Sequence, residues 1–213
     1  MPAPRRTLGL LVAWALGVAA PAAAQSQKDF RGHVLNTPAL AGQSVPVLTL
    51  GAISADSTII GDTLLTGWHG RSEAITRFDG ILGTYLADNA PDVKWVLPAD
   101  LRRMAKRAPS LVPDPDRMGH SVAASPRVRQ VPEPLNSRLR QLVAYSDARQ
   151  VLLPSTLTLS RDTTGVSVEL AAELVDARLG NVLWRTYAAG KGRTADAAVR
   201  AAIATMVPPE FDP

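Results

Sequence analysis

The chain has 213 residues, and its 23 Lys and Arg against 19 Asp and Glu give a formal net charge of +4. The length suits a single domain, and so small a positive excess is weak evidence for a nucleic-acid partner. The absence of cysteine excludes disulfides, thiolate metal sites, a cysteine nucleophile and a lipidated N-terminal cysteine.

The first 24 residues have the pattern of a secretory signal peptide. Arg5 and Arg6 precede an uncharged apolar run, and residues 22–24 are alanines that fit a cleavage site. A membrane anchor is the alternative, but the run is short for a span, and no later segment is apolar enough to be one. We therefore expect cleavage after Ala24 and an exported mature chain that is soluble, periplasmic or extracellular, and not lipidated.

The mature chain begins with a polar stretch. Residues 25–44 lack a sustained period, which predicts a flexible leader. Val45–Ile53 is a nearly continuous apolar run and predicts a first strand covered on both faces. Residues 58–65 are either a short hairpin around Gly61 and Asp62 or a packed loop.

A helix and a second strand follow. Apolar residues at helical spacing predict a helix over Arg71–Asp88, with Ser72 as its N-cap and Glu73 in its first turn. Asp92–Leu97 alternates between apolar and polar residues and predicts the second strand.

Two shorter helices flank a long loop. The pattern predicts one helix at Leu101–Ala108 and another at Glu133–Asp147. Between them, Ser110–Val131 is rich in proline, and a loop of this length inside a domain is either functional or mobile.

The last third of the chain predicts an antiparallel meander of three strands. Val151–Leu159 is the first. In Val166–Leu174, apolar residues alternate with Ser167, Glu169, Ala171 and Glu173, so one face should be buried and the other largely wet. A turn in which Asp176 accepts N–H bonds and Gly180 takes a left-handed conformation leads into Val182–Tyr187.

Thr194 is the predicted N-cap of a final helix, Ala195–Val207. The order β-α-β-α-α-β-β-β-α predicts an α/β (α+β) domain over residues 45–207, followed by a tail at 208–213. We expect a mixed sheet of about five strands, with the C-terminal antiparallel meander and with helices packed against the sheet.

Several phrases of the sequence resemble a known family. They are VPVLTL, VKWVLPADLRRMA, LVAYSDARQVLLPS and, above all, VDARLGNVLW at 175–184. Together they resemble the small α/β domain shared by the N-terminal domain of TolB, the curli secretion lipoprotein and lipoprotein activators of penicillin-binding proteins. The resemblance covers residues 45–207 and implies an envelope protein that works by binding. This chain has no anchoring cysteine.

Two groups of residues are candidate binding sites. Trp68, His69 and Arg71 precede a helix N-terminus, where an anion could dock, although a packed Trp with a solvated His and Arg is the simpler interpretation. A second group forms a basic face on one helix, either an ordinary solvated surface or a contact for an acidic partner or anionic headgroups. Its members are Arg102, Arg103, Lys106 and Arg107.

The sequence carries no recognisable catalytic or cofactor motif. Asp114, Asp116 and His120 lie on the long loop without a complete metal-ligand set, so we expect neither a metal nor a cofactor. A nucleophile elbow, a phosphate-binding loop and a dinucleotide fingerprint are all missing from the sequence.

These patterns predict a non-enzymatic accessory protein that binds another cell-envelope component, either a protein or cell-wall material, through a sheet edge or the long loop. A module that binds a small ligand is the first alternative. A hydrolase whose catalytic residues meet only in space is the second.

Overall fold

The computed structural model describes residues 30–57, 59, 65–163 and 165–209. The predicted signal peptide lies outside these residues, as does most of the segment 58–65, which was predicted to be either a hairpin or a packed loop. Within the described ranges, no helix is both long and apolar enough to cross a membrane.

The structure is a mixed α/β domain, which confirms the predicted fold class. Its strands are β1 (Ser44–Pro46), β2 (Ala52–Ala55), β3 (Lys94–Val96), β4 (Gln150–Asp162), β5 (Gly165–Asp176) and β6 (Asn181–Gly192). Its helices are α1 (Arg71–Asn89), α2 (Pro98–Arg107), α3 (Leu135–Ser146) and α4 (Ala195–Met206). Short 3-10 turns lie at Pro38–Leu40, Pro115–Arg117 and His120–Ala124.

The strands pair in the order β2-β4-β5-β6, and β1 pairs separately with β3. β2 is parallel to β4 and β1 is parallel to β3, whereas β4, β5 and β6 form the predicted antiparallel meander. A bridge between Val47 and Leu152 connects the β1–β3 pair to β4. Helices lie against both faces of this assembly, so the core has two halves.

The predicted first strand, Val45–Ile53, is divided into β1 and β2. Between them only isolated bonds reach β4, from Leu48 N–H to Leu152 O at 3.0 Å and from Gly51 N–H to Pro154 O at 2.9 Å. Pro154 has no N–H to donate, and β4 bulges just after it. The ladder is therefore interrupted at this point, and the periodicity of the first strand does not show it.

The prediction that one face of β5 is largely wet is wrong for the half of the strand near the turn. Ser167 and Glu169 are half-buried, but Ala171 is 2% exposed and Glu173 is fully buried. The long loop and α3 cover this face and pack a second apolar cluster on it, which includes Leu139 and Val175. The first cluster lies on the opposite face under α1 and α4.

The helix caps and the β5–β6 turn are as the sequence predicts, with one exception. Thr194 caps α4 by accepting the Ala197 N–H, and Asp176 accepts two N–H bonds in the turn whose Gly180 has φ +76°. However, α1 begins directly after Gly70, which is its N-cap, so Ser72 lies inside the helix and no side chain caps its first turn. The first N–H groups of α1 therefore remain without a side-chain partner.

Residues 30–44, the described part of the predicted leader, pack on the domain. Leu35 and Leu40 are each 3% exposed, and the Leu35 N–H donates to Met206 O at 2.8 Å. The Trp184 Nε1–H donates to Val34 O at 3.0 Å. These contacts connect residues 34 and 35 with β6 and with the end of α4.

Gly190 lies where α4 approaches the sheet closely, and Gly80 on α1 is the matched control. A Cβ at Gly190 would collide with Ala198 O and Ala202 N, whereas a Cβ at Gly80, on the exposed side of α1, would have nothing within 4 Å. We expect Gly190→Ala to lower the free energy of unfolding by about 1–3 kcal/mol through overpacking. Gly80→Ala should raise it by about 0.5–1 kcal/mol, because Ala is the better helix former. Urea unfolding of both variants checks this, and equal effects would contradict it.

Candidate functional site

Two adjoining hollows open on the surface where the long loop meets α1 and α2. Their volumes are about 500 and 410 Å³, and both are lined by Arg102 and Asp116. We call this surface the Arg102 groove. Its other lining residues are Thr49, Arg71, Ser72, Ile75, Thr76, Ala105, Lys106, Pro109, Val112 and Asp114.

Three segments supply the charged side chains of the groove. Arg71 lies at the first position of α1, and Arg102 and Lys106 lie one turn apart on α2. Asp114 and Asp116 lie on the long loop, where the Asp114 carboxylate caps the 3-10 turn by accepting the Asp116 N–H at 3.0 Å. The groove thus combines residues that the sequence analysis placed in three separate features.

Arg102 is shared between two carboxylates. Its Nη2 lies 2.8 Å from Asp79 Oδ2 and 2.7 Å from Asp116 Oδ1, and Nε lies 3.0 Å from both Asp116 oxygens. The Thr49 hydroxyl also donates to Asp79 Oδ2, at 3.0 Å. Burial raises the pKa of Asp79, while its bonds from Arg102 and Thr49 oppose that rise. One guanidinium therefore serves two carboxyl groups.

The two carboxylates differ in accessibility. The Asp79 side chain is 8% exposed, whereas that of Asp116 is 46% exposed. A molecule in the groove can therefore reach the Asp116 carboxyl group but not that of Asp79.

The start of α1 gives the groove a positive end. Arg71 is exposed and its Nη2 donates to Gly51 O at 3.0 Å, which leaves other guanidinium N–H groups facing outward. The uncapped first turn of α1 adds the positive end of the helix dipole at the same place.

A second polar cluster lies beneath the long loop, closed to solvent. Glu173 and Ser155 are fully buried, and Arg185 is 3% exposed. Arg185 Nε lies 3.4 Å from Glu173 Oε1, and the Ser155 hydroxyl donates to the other Glu173 oxygen. Burial raises the pKa of Glu173 to about 7, although Ser155 and Arg185 oppose it.

Arg185 also holds the long loop on the sheet. Its guanidinium donates to Ala123 O and Val128 O, each at 2.8 Å, and to Pro126 O at 3.3 Å. The Tyr187 hydroxyl donates to Ala124 O in the same segment. The loop is thus bound to β6 by two side chains, of which Arg185 also belongs to a buried ion pair.

His120 lies in the same covered layer. It is 1% exposed, and its Nε2 lies 2.8 Å from Thr49 O and 3.2 Å from Pro154 O. Burial lowers its pKa to about 4. In the described part of the chain no group of three or more His, Cys, Asp or Glu side chains could hold a metal ion.

The structure separates the predicted Trp68–His69–Arg71 corner. Trp68 is 5% exposed, and its Nε1–H donates to Asp196 Oδ1 at 2.8 Å, beside the Arg77–Asp196 ion pair. Trp68 therefore connects the segment just before α1 with α4. His69 is exposed and is not among the residues that line the groove, whereas Arg71 is.

The predicted basic face is also divided. Arg102 turns toward Asp79 and Asp116, and Lys106 lines the second hollow. Arg103 pairs with Asp100, its neighbour one turn earlier, and Arg107 is exposed.

Comparison with protein-family models and with curated proteins finds no match. The solved structures that are similar to this chain include the following two. Lipoprotein GNA1162 from Neisseria meningitidis is 17% identical, with a TM-score of 0.34, and the match covers 72% of this chain and 82% of that one. The LpoB C-terminal domain from Salmonella enterica is 15% identical, with a TM-score of 0.39, and the match covers 80% of this chain and 93% of that one.

Both matches agree with the resemblance found in the sequence. Both TM-scores lie below 0.5, so the function proposed next rests on the residues of this chain.

Proposed function

We propose that this chain is an exported, non-enzymatic accessory protein of the cell envelope, and that it binds another envelope component through the Arg102 groove. The observation that carries the proposal is the convergence of Arg71, Arg102 and Asp116 on one open surface. Concave surfaces with a few converging polar groups are where proteins most often bind their ligands.

The position of the long loop supports this proposal. The loop supplies Asp114 and Asp116 to the groove, and Arg185 fixes it to the sheet from beneath. A surface held in one conformation loses little conformational entropy when a partner binds.

The burial of the side chains with shifted pKa values favours binding over catalysis. Glu173 and His120 have pKa values shifted to about 7 and about 4, but they are 0% and 1% exposed. A catalytic acid or base must come within hydrogen-bonding reach of its substrate. Burial beneath the loop keeps both groups from a molecule bound in the groove.

Site-specific crosslinking in the native cell envelope tests the proposal. A photo-crosslinking amino acid is placed at Thr76, which lines the groove. The matched control is Thr84, an exposed threonine roughly 12 Å further along α1. We expect one reproducible adduct at position 76 and none at 84.

The adduct should weaken when Arg71 is replaced by Gln in the same chain. The same adduct at both positions, or none at either with the protein recovered free, would contradict binding through the groove. Mass spectrometry of the adduct distinguishes a protein partner from cell-wall material.

The size of the first hollow favours a second candidate function, the binding of a small molecule. Its volume of about 500 Å³ lies within the usual range for small-molecule sites, roughly 300–1,000 Å³. Ile75 offers an apolar surface between the hydroxyls of Ser72 and Thr76. Such a site would contact a ligand through both apolar and polar groups.

A further inference from the structure

We propose that the Arg102 groove binds a zwitterionic ligand of small-peptide chemistry, with the ligand carboxylate at Arg71 and its ammonium group at Asp116. This inference rests on the proposed function, because it assigns a ligand class to the same groove. It differs from simple anion capture, which the three basic residues Arg71, Arg102 and Lys106 would suggest if they stood alone.

The negative end of the groove is Asp116, the more exposed of the two carboxyl groups that Arg102 contacts. One guanidinium serves Asp79 and Asp116, and Asp79 is enclosed and also receives the Thr49 hydroxyl. Asp116 has no second cation among its described contacts, and about half of its side chain is exposed. An ammonium group placed there would give this carboxyl group a second cationic partner, since it shares Arg102 with Asp79.

The positive end comes from Arg71 together with the backbone. Arg71 is held by a single described hydrogen bond, to Gly51 O, and therefore has donors available for a carboxylate. The first N–H groups of α1 lie in the same turn as Arg71 and Ser72, and Ser72 also lines the hollow. A carboxylate there would receive a guanidinium and backbone donors together.

Arg71 and Asp116 disfavour ligands that carry two anionic groups or two cationic groups. A ligand with two anionic groups would bring one of them against Asp116, and a ligand with two cationic groups would bring one against Arg71. Like charges at close range are unfavourable. Ile75 also lines this hollow and offers an apolar contact for a small side chain of the ligand.

The first test is an NMR titration of the wild-type protein with three related probes. The probes are L-alanyl-L-alanine with free termini, its N-acetyl derivative and its C-terminal amide. We expect saturable shifts of the Ser72 and Thr76 amides with the free dipeptide. Each blocked derivative should bind about tenfold more weakly or worse, because it loses one charged hydrogen-bonding group.

Variants assign each end of the ligand. Arg71→Gln should remove the discrimination against the amide, and Asp116→Asn should remove the discrimination against the N-acetyl derivative. Arg200→Gln, an exposed change on α4, is the matched control and should leave all three affinities unchanged. Thermal melts establish that each variant is folded.

The outcomes separate this inference from the proposed function. Equal binding of the three probes, shifts outside the groove, or no saturable binding would each overturn the zwitterion assignment. If the dipeptide fails while position 76 still crosslinks one envelope component, the proposed function stands and only the ligand class is wrong. If crosslinking and titration both fail, both proposals fall.

Discussion

Replacing Arg185 with Ala should lower the free energy of unfolding by about 3–5 kcal/mol, the usual cost of removing one partner of a buried ion pair. Arg185 is 3% exposed and faces a carboxylate, Glu173, that has no access to water. Its loss would also leave Ala123 O and Val128 O without their charged donor. Both consequences act on the loop that shapes the groove.

Guanidinium-induced unfolding at pH 8 measures this effect. Arg129→Ala is the control, because Arg129 lies on the same loop and is exposed. We expect the control to fall within about 0.5 kcal/mol of the wild type. A loss at Arg185 as small as that of the control would mean that the buried pair does not hold the loop.

Hydrogen exchange gives the prediction a second readout. If Arg185 binds the loop to β6, the Arg185→Ala variant should lose protection first at the Val128 and Val131 amides, which donate to Ser125 O and Gly180 O. Uniform loss of protection across the domain would instead mean that the pair stabilises the whole fold and not the loop in particular.

The sequence predicts the C-terminal half of the fold well because its signals are local. Alternation along the strands, the Asp176–Gly180 turn and the Thr194 cap each act within a few residues, and the structure has all of them. A bulge between Leu174 and Val175 then shifts the register, so that Glu173 lies opposite Arg185 and not opposite Trp184. The turn alone therefore does not predict this cross-strand ion pair.

The sequence does not predict what covers the second face of the meander. The path of the long loop over β5 depends on bonds such as Arg185 to Val128 O, which join residues far apart in the chain. Periodicity carries no information about such a path. Glu173 consequently looks like a surface residue in the sequence and is fully buried in the structure.

The residues of the candidate site could be predicted from the sequence, but their contacts with one another could not. Each of Arg71, Arg102 and Asp116 stands out in the sequence, but in three unrelated roles: an anion corner, a basic face and a loop without a full metal-ligand set. Their convergence follows from the docking of the loop against α1 and α2, in which Arg102 bonds to both Asp79 and Asp116. The sequence pattern does not single out Asp79, the buried partner of Arg102, because it lies among the apolar residues of α1.

The second large effect expected is on the pH dependence of stability, where two buried groups act in opposite directions. The pKa of Glu173 is raised from 4.5 to about 7 in the folded protein. Between these values the folded chain holds a proton that the unfolded chain has lost, so this contribution to stability is complete below pH 4.5 and is lost as the pH rises through about 7. At 1.36 kcal/mol per pKa unit, the loss is about 3 kcal/mol.

The contribution of His120 has the opposite sign. Its pKa is lowered from 6.5 to about 4, so the unfolded chain binds the extra proton between these values. This contribution is complete above pH 6.5 and is lost as the pH falls through about 4, again by about 3 kcal/mol. From pH 4.5 to 6.5 the two slopes cancel, and these groups together give the wild type an almost flat stability profile there.

Replacing either side chain should leave only the other side chain's contribution to the slope of stability against pH. Relative to the wild type, Glu173→Gln should make the stability rise with pH between 4.5 and 6.5, because only the His120 contribution then changes. His120→Gln should make it fall over the same range, because only Glu173 then titrates. Urea unfolding in half-unit pH steps measures both slopes, and the comparison with the wild type cancels the titration of the other carboxylates. Parallel profiles for the wild type and both variants would mean that Glu173 and His120 keep the same protonation in the folded and unfolded chain.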